Sequence, residues 1–282
     1  MKRVAVIGAT GTIGRAVIAE LVASGVDDVV AVSRTVEASS VPEGVRAVQA
    51  DLMAPATLDK ALRDVDAVFL VWTAPGDAAP AAVDRIARSV KRLVFLSAPH
   101  KTPHPFFQQT NPMAVLMARV EALIEASTIE WTILRPGMFA GNALAWWAPQ
   151  IRRGNVVRWP FGAAASAPID ERDIAAVAVR VHREGGHGGR DYVLTGPESL
   201  TQAEQVGLIG EALGRNIEFE EISPDEARSE LSFPPAALNM LLKAWSASVG
   251  LPAFVTSDVA EITGRRPRTY REWSVDHAHA FR

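Results

Sequence analysis

GATGTIG, at residues 8–14, is the stretch whose reading decides the fold. It follows the apolar run Val4, Ala5, Val6 and Ile7 and leads into residues 13–23, where Ile13, Val17 and Leu21 recur at helical spacing. Strand, glycine turn and helix, in that order, open a βαβ unit that holds a dinucleotide. Gly8 permits the sharp turn, Gly11 lets the backbone approach a pyrophosphate, and Gly14 lets the helix pack closely on the strand. Thr10, Thr12 and Ile13 complete the loop, and the helix start offers free N–H groups and a positive dipole end to the anion. The bland alternative is a tight turn that only needs small residues.

Working outward, short apolar runs alternate with helical patterns. DVVAVS (28–33), VRAVQAD (45–51), DAVFLVW (66–72), KRLVFLS (91–97) and EWTILRP (130–136) read as further strands. Helices are expected at 57–64, 80–89 and 113–127. Strands this apolar, separated by helices, require a parallel sheet covered on both faces. After about residue 137 the rhythm changes: WWAPQIRRGN and WPFGAAASAP are loop-rich. Helices follow at 173–182, 201–213 and 223–231, with a short strand RDYVLTG (190–196) and an exposed strand at 217–222. The expected architecture is α/β. Residues 1–154 form a doubly wound, parallel-sheet Rossmann core. Residues 155–282 form a smaller, mostly helical C-terminal lobe for the substrate, partly interleaved with the core.

At 282 residues and a net charge of -3, the chain has room for such a core and no basic footprint for nucleic acid. The densest basic cluster, RRPR at 265–268, reads as a solvated loop. No apolar run approaches the roughly 18 residues that span a bilayer. There are no cysteines, which excludes disulfides, thiolate nucleophiles and Cys-ligated metals. The histidines outside the loop at 97–112 lack carboxylate company at ligand spacing, so no metal is expected. A cytoplasmic location is the simplest expectation, and a homodimer is compatible with the sequence without being required by it.

Cofactor choice is read at the end of the second strand. An NAD site places Asp or Glu there for the ribose 2′-hydroxyl. Here stand Ser33 and Arg34, a guanidinium that suits a 2′-phosphate, so NADPH is expected over NADH. Against this, a lone Arg after a strand is often only exposed, and Glu37 could swing back.

The glycine spacing G-x-x-G-x-x-G is typical of extended and atypical short-chain dehydrogenase/reductases. Nearly end to end, the chain resembles their NmrA-like branch. The matching stretches are GATGTIG, QADL (49–52), VKRLVFLSA (90–98), EWTILRPGMF (130–139), PIDERDIAAVA (168–178), YVLTGPESLT (192–201) and the tail at 263–281. That family resembles a mixture of NADPH-dependent quinone, azo and enone reductases and cofactor-binding redox sensors. The resemblance implies Asp51 and Leu52 near the adenine, and Val71, Trp72 and Thr73 along the cofactor. It implies Pro136 and Gly137 behind the nicotinamide, with Phe139 and Asn142 facing the substrate. Asp170, in IDERDIA, reads as a helix cap.

Most short-chain dehydrogenases carry Tyr-x-x-x-Lys on the helix after the fifth strand, a spacing that puts both groups on one face. Alignment with the family pattern puts Met113 and Met117 there, and neither donates a proton. They border the helix's core stripe as a soft wall for a planar substrate. The loop at 97–112 then supplies the candidates. Ser97 stands where the family's catalytic Ser or Thr often does, and also beside the cofactor. His100, Lys101 and His104 could protonate a reduced product, His100 first because imidazole titrates near neutrality. A His or Lys in such a loop is, alternatively, merely solvated. Trp146, Trp147, Trp159 and Phe161 line an apolar pocket or pack the core.

Two functions fit. One is an NADPH-dependent reductase delivering hydride to an electron-poor, apolar small-molecule acceptor, a quinone or enone, without a Tyr–Lys pair. The other is a non-catalytic NAD(P)H-binding redox sensor acting through a protein partner, which the double Met replacement motivates.

Overall fold

A computed structural model describes residues 3–109 and 111–282. Thr110, inside the loop at 97–112, lies outside the described residues.

Alternation along the first strand sets up two cores. In β1 (Arg3–Ile7), Val4 and Val6 face one layer of helices while Ala5 and Ile7 face the other, and all four are buried. The chain continues through α1 (Thr12–Ala23), β2 (Asp28–Ser33), β3 (Arg46–Gln49), α2 (Leu58–Ala61) and β4 (Ala67–Val71). Next come α3 (Ala79–Ser89), β5 (Arg92–Leu96), α4 (Pro112–Glu125) and β6 (Glu130–Pro136). Two short helices, α5 (Asn142–Trp146) and α6 (Ala148–Ile151), lead to β7 (Val156–Trp159) and β8 (Ala165–Ser166). Then follow α7 (Glu171–Arg183), β9 (Arg190–Leu194), β10 (Leu200–Thr201), α8 (Gln202–Leu213) and β11 (Glu218–Glu221). The chain closes with α9 (Pro224–Glu230), α10 (Pro235–Ser248), α11 (Asp258–Thr263) and α12 (Tyr270–Asp276).

Seven strands pair in parallel in the order β3-β2-β1-β4-β5-β6-β9. The order reverses between β1 and β4, and ligands of doubly wound sheets bind at the carboxyl ends around that point. One face packs against α2, α3 and α4 through Leu58, Val83, Ile86, Val120 and Ile124. The other packs against α1, α7 and α11 through Val17, Leu21, Ile174, Val177 and Val259. Residues 155–282 therefore supply β9 to the sheet and α7 and α11 to its face, while others of them join α5 and α6 in a third core around Trp147, Trp159, Trp245 and Trp273. No helix among the described residues is long and apolar enough to cross a membrane.

Local signals fix most helix ends. Asn111 caps α4, its side chain accepting from the N–H groups of Met113 and Ala114, with Pro112 at the first helical position. Asp170 caps α7 as expected, accepting from the Arg172 N–H at 2.8 Å. The segments read as loop-rich instead hold α5, α6, β7 and β8. Their order is non-local: β7 pairs with β11 and β8 with β10. Strands of two to four residues carry no period of their own. The RRPR cluster is held to the fold, with Arg268 on Asp173 at 2.7 Å and Arg266 on Glu272.

Candidate cofactor and acceptor site

Two glycines of the loop, Gly8 and Gly14, have no room for a side chain. Gly8 sits at φ +88°, and a Cβ there would lie 2.8 Å from the Cβ of Val71. At Gly14 an added Cβ would meet the Gly8 carbonyl oxygen at 2.2 Å. No side chain caps the start of α1, so its leading N–H groups carry no side-chain partner and suit an anion. Beyond the loop, a groove of about 840 Å³ runs across the strand ends. Gly8, Thr10, Gly11, Ser33, Arg34, Asp51, Leu52, Val71 and Thr73 all line it, so the structure brings together most of the residues expected to bind the cofactor. Glycines that only a thin backbone cradle explains, at the head of a groove this long, fit a dinucleotide.

Within the groove Asp51 is locked by its own turn, its carboxylate accepting from the Met53 N–H at 2.9 Å. Arg34 makes no hydrogen bond or ion pair among the described residues, and Glu37 is not on the lining. Thr35, Met53 and Pro75 join the walls unforeseen. Seven expected residues lie off the groove: Ser97, Pro136 and Gly137, which stand at the ends of β5 and β6, and four nearer the loop and β4. Ile13 and Gly14 are buried in packing behind the loop, and Thr12 starts α1. Trp72 points opposite to Val71 and Thr73, as strand alternation demands, and its indole N–H donates to the Ala74 carbonyl at 2.6 Å.

A second cavity, of about 590 Å³, opens at the ends of β5 and β6 beneath α10. Its walls include Phe106, Phe107, Met138, Met240 and Leu241, with Gly137 at its base and His100, Gln109 and Asn111 as its polar side chains. Gly137 thus faces the acceptor side, whereas Pro136 is buried in the strand. The residues expected to shape this pocket lie elsewhere. The cap at Asn111 turns Ala114 toward the cavity, which leaves Met113 in solvent and Met117 in the sheet core. Phe139 and Asn142 sit just past the wall formed by Met138, Phe139 packing on the sheet-side core. Trp146 and Trp147 pack with Trp159 into the aromatic core of the lobe, with ring centroids about 6 Å apart.

Of the three catalytic candidates, only His100 lines the cavity. Ser97 is buried and donates to Glu121 Oε1 at 2.5 Å. Lys101 lies 3.2 Å from Glu121 Oε2 and 3.6 Å from Glu125. His104 is a tether: its Nε2 reaches the Pro252 carbonyl at 3.0 Å while its Nδ1 accepts from the Phe106 N–H. Glu121 itself was not singled out from the sequence, although a Glu inside the apolar stripe of α4 was a signal. Arg135, amid the apolar residues of β6, was its counterpart. The Arg135 guanidinium holds both Glu121 oxygens, at 3.1 and 2.8 Å, and also pairs with Asp191. Burial alone would raise the Glu121 carboxyl, but the bonds from Arg135, Ser97 and Lys101 outweigh it and hold that carboxyl below the usual range.

A glycine-lined groove at the reversal of the strand order, with a separate apolar cavity bearing one imidazole at the ends of β5 and β6, defines a Rossmann-type protein. The chain belongs to the NAD(P)H-binding family, whose sequence model matches residues 8–184. A (4-alkanoyl-5-oxo-2,5-dihydrofuran-3-yl)methyl phosphate reductase of Streptomyces griseus is 39% identical, over 98% of each chain. An NmrA-like oxidoreductase of Aspergillus flavus is 27% identical over 94% of this chain and 91% of its own, in keeping with the sequence resemblance. The crystal structure of an NADPH-dependent quinone oxidoreductase of Escherichia coli superposes with a TM-score of 0.80 at 25% identity, covering 98% of this chain and 99% of that one. These relatives support an oxidoreductase function.

Proposed function

We propose that the protein is an NADPH-dependent reductase of electron-poor, apolar acceptors, enones and quinones, that works without a Tyr–Lys pair. The observation that carries this reading is the cavity beside the groove, where His100 is the one titratable side chain on otherwise apolar or amide-bearing walls. NADPH, when bound, supplies a hydride. A reduced quinone is stable as an anion, whereas a reduced enone is an enolate that must gain a proton. His100, the titratable side chain on the cavity wall, is the donor in this reading. The Streptomyces griseus relative acts, by its name, on an unsaturated lactone that carries a methyl phosphate, so it supports the electron-poor double bond and not the apolar character.

The test is NADPH oxidation by the purified protein against a panel of enones and quinones, with NADH run beside it. Turnover of neither class, with NADPH bound tightly, would replace this reading with the sensor. In the same assay His100→Ala is expected to lower enone turnover by about 100-fold and to spare quinones. Equal turnover of enones by variant and wild type would remove the proposed acid.

Arg34 reads the 2′-phosphate. Arg34→Gln is expected to weaken NADPH binding by roughly tenfold or more, the worth of a charge-assisted contact, and to leave NADH binding unchanged. Fluorescence titration with both nucleotides measures this, and a parallel loss for NADH would contradict the assignment.

A further inference from the structure

Glu121 is the buried ionisable group that the reading above does not use. Its side chain is 1% exposed, yet it meets Ser97, Arg135 and Lys101 and approaches His100 Nε2 at 3.6 Å. Two turns before it on α4, Ala114 lines the acceptor cavity, so Glu121 lies on the same helix face, below the cavity floor. The His100 ring is defined from both sides. Nδ1 lies 3.0 Å from the Ala98 carbonyl oxygen, which can only accept, so Nδ1 carries a hydrogen. Nε2 is buried with no hydrogen-bond partner and is directed to the Glu121 carboxylate. The Ser97 hydroxyl hydrogen is already committed to Glu121, which removes Ser97 as a donor to any acceptor.

We infer that Glu121 is the positioning residue of the acceptor cavity. It holds the segment Ser97 to Lys101 against α4 and sets the orientation of the His100 ring from its Nε2 side. Arg135 keeps the carboxylate in place from the sheet side, and Lys101 and Glu125 complete the charges around it. This inference rests on the reductase reading.

The test compares an enone with a quinone of similar size in the wild type, His100→Ala, Glu121→Gln, Glu121→Asp and the double variant His100→Ala with Glu121→Asp. Glu121→Gln leaves Arg135 with Asp191 alone as counter-charge. Glu121→Asp keeps the charge and withdraws it from His100. The ratio of enone to quinone kcat is expected to fall by at least about tenfold in each single variant, with KM for NADPH unchanged. In the double variant it should fall no further than in His100→Ala, because the two residues act through one proton. An equal loss on both acceptors, or additive losses, would reduce Glu121 to a structural ion pair and overturn the inference.

A readout without turnover is the long-range proton–nitrogen spectrum of protein carrying 15N-labelled histidine, with the His100 signals identified by their loss in His100→Ala. The neutral ring should carry its hydrogen on Nδ1, and the ring signals should move in Glu121→Asp. A hydrogen on Nε2, or signals that stay in place, would overturn the positioning role. A wild type that reduces neither acceptor would sink the reductase reading by itself, and the spectra would still decide where Glu121 places the ring.

Discussion

Gly14→Ala is expected to abolish tight NADPH binding and to lower the melting temperature. The added methyl would lie 2.2 Å from the Gly8 carbonyl oxygen and 2.9 Å from the Ala9 Cα, and both are backbone atoms that no rotamer change can move. Helix α1 must then lift from the turn and loosen its packing on α7. Overpacking of this kind costs about 3 kcal/mol, on the order of 10 °C in a chain of this size. Gly11→Ala is the control. Its φ of -76° suits any residue, and its added methyl would reach the Gly8 oxygen only at 3.4 Å. That variant should melt near the wild-type temperature and still lose NADPH affinity by about tenfold or more, because the methyl occupies the approach of the pyrophosphate. Gly11→Ala protein that binds NADPH like the wild type would show that the loop is a turn and not a cradle.

The second large effect is acid sensitivity carried by His182. This side chain, in the last turn of α7, is fully buried, and neither ring nitrogen has a hydrogen-bond partner among the described residues. Burial, with the positive charge of Arg92 nearby, pushes its pKa down to about 3 from 6.5. The folded protein therefore keeps the ring neutral while the unfolded chain takes up a proton below about pH 6.5. The stability this neutrality contributes is complete above pH 6.5 and is lost as pH falls toward 3, at up to about 1.4 kcal/mol per pH unit. Across the whole window the loss is on the order of 4–5 kcal/mol. Urea unfolding of the wild type and His182→Leu at pH 7, 6 and 5 isolates it. From pH 6 to 5 the wild type should lose about 1 kcal/mol more than the variant. Parallel slopes would mean that His182 is protonated in the fold or reaches solvent.

Much of the molecule was legible without coordinates. The loop at 8–14, the six strands β1–β6 and the exchange of an acidic residue for Ser33 and Arg34 are written in contiguous stretches. The caps Asn111 and Asp170 likewise sit beside the N–H groups they serve. The acceptor side was harder. On α4 alignment with the family pattern put Met113 and Met117 at the pocket, where Ala114 and Asn111 stand instead, because their placement depends on where the helix is capped. Aromatic residues clustered in sequence suggested a pocket, yet Trp146 and Trp147 met Trp159 and Trp245 and filled a core instead.

By itself, then, the sequence determined the parallel Rossmann sheet and the glycine turn that opens it. Period, turn chemistry and capping act between near neighbours in the chain, so they can be read from a linear string. The tertiary structure decided which loop residue lines the cavity, that Glu121 stands behind His100, and that α10 roofs the cavity. Each of these follows from burial shared between distant segments, as when His104 reaches Pro252 across 148 residues. A buried charge declares its partner only once packing has excluded water from both.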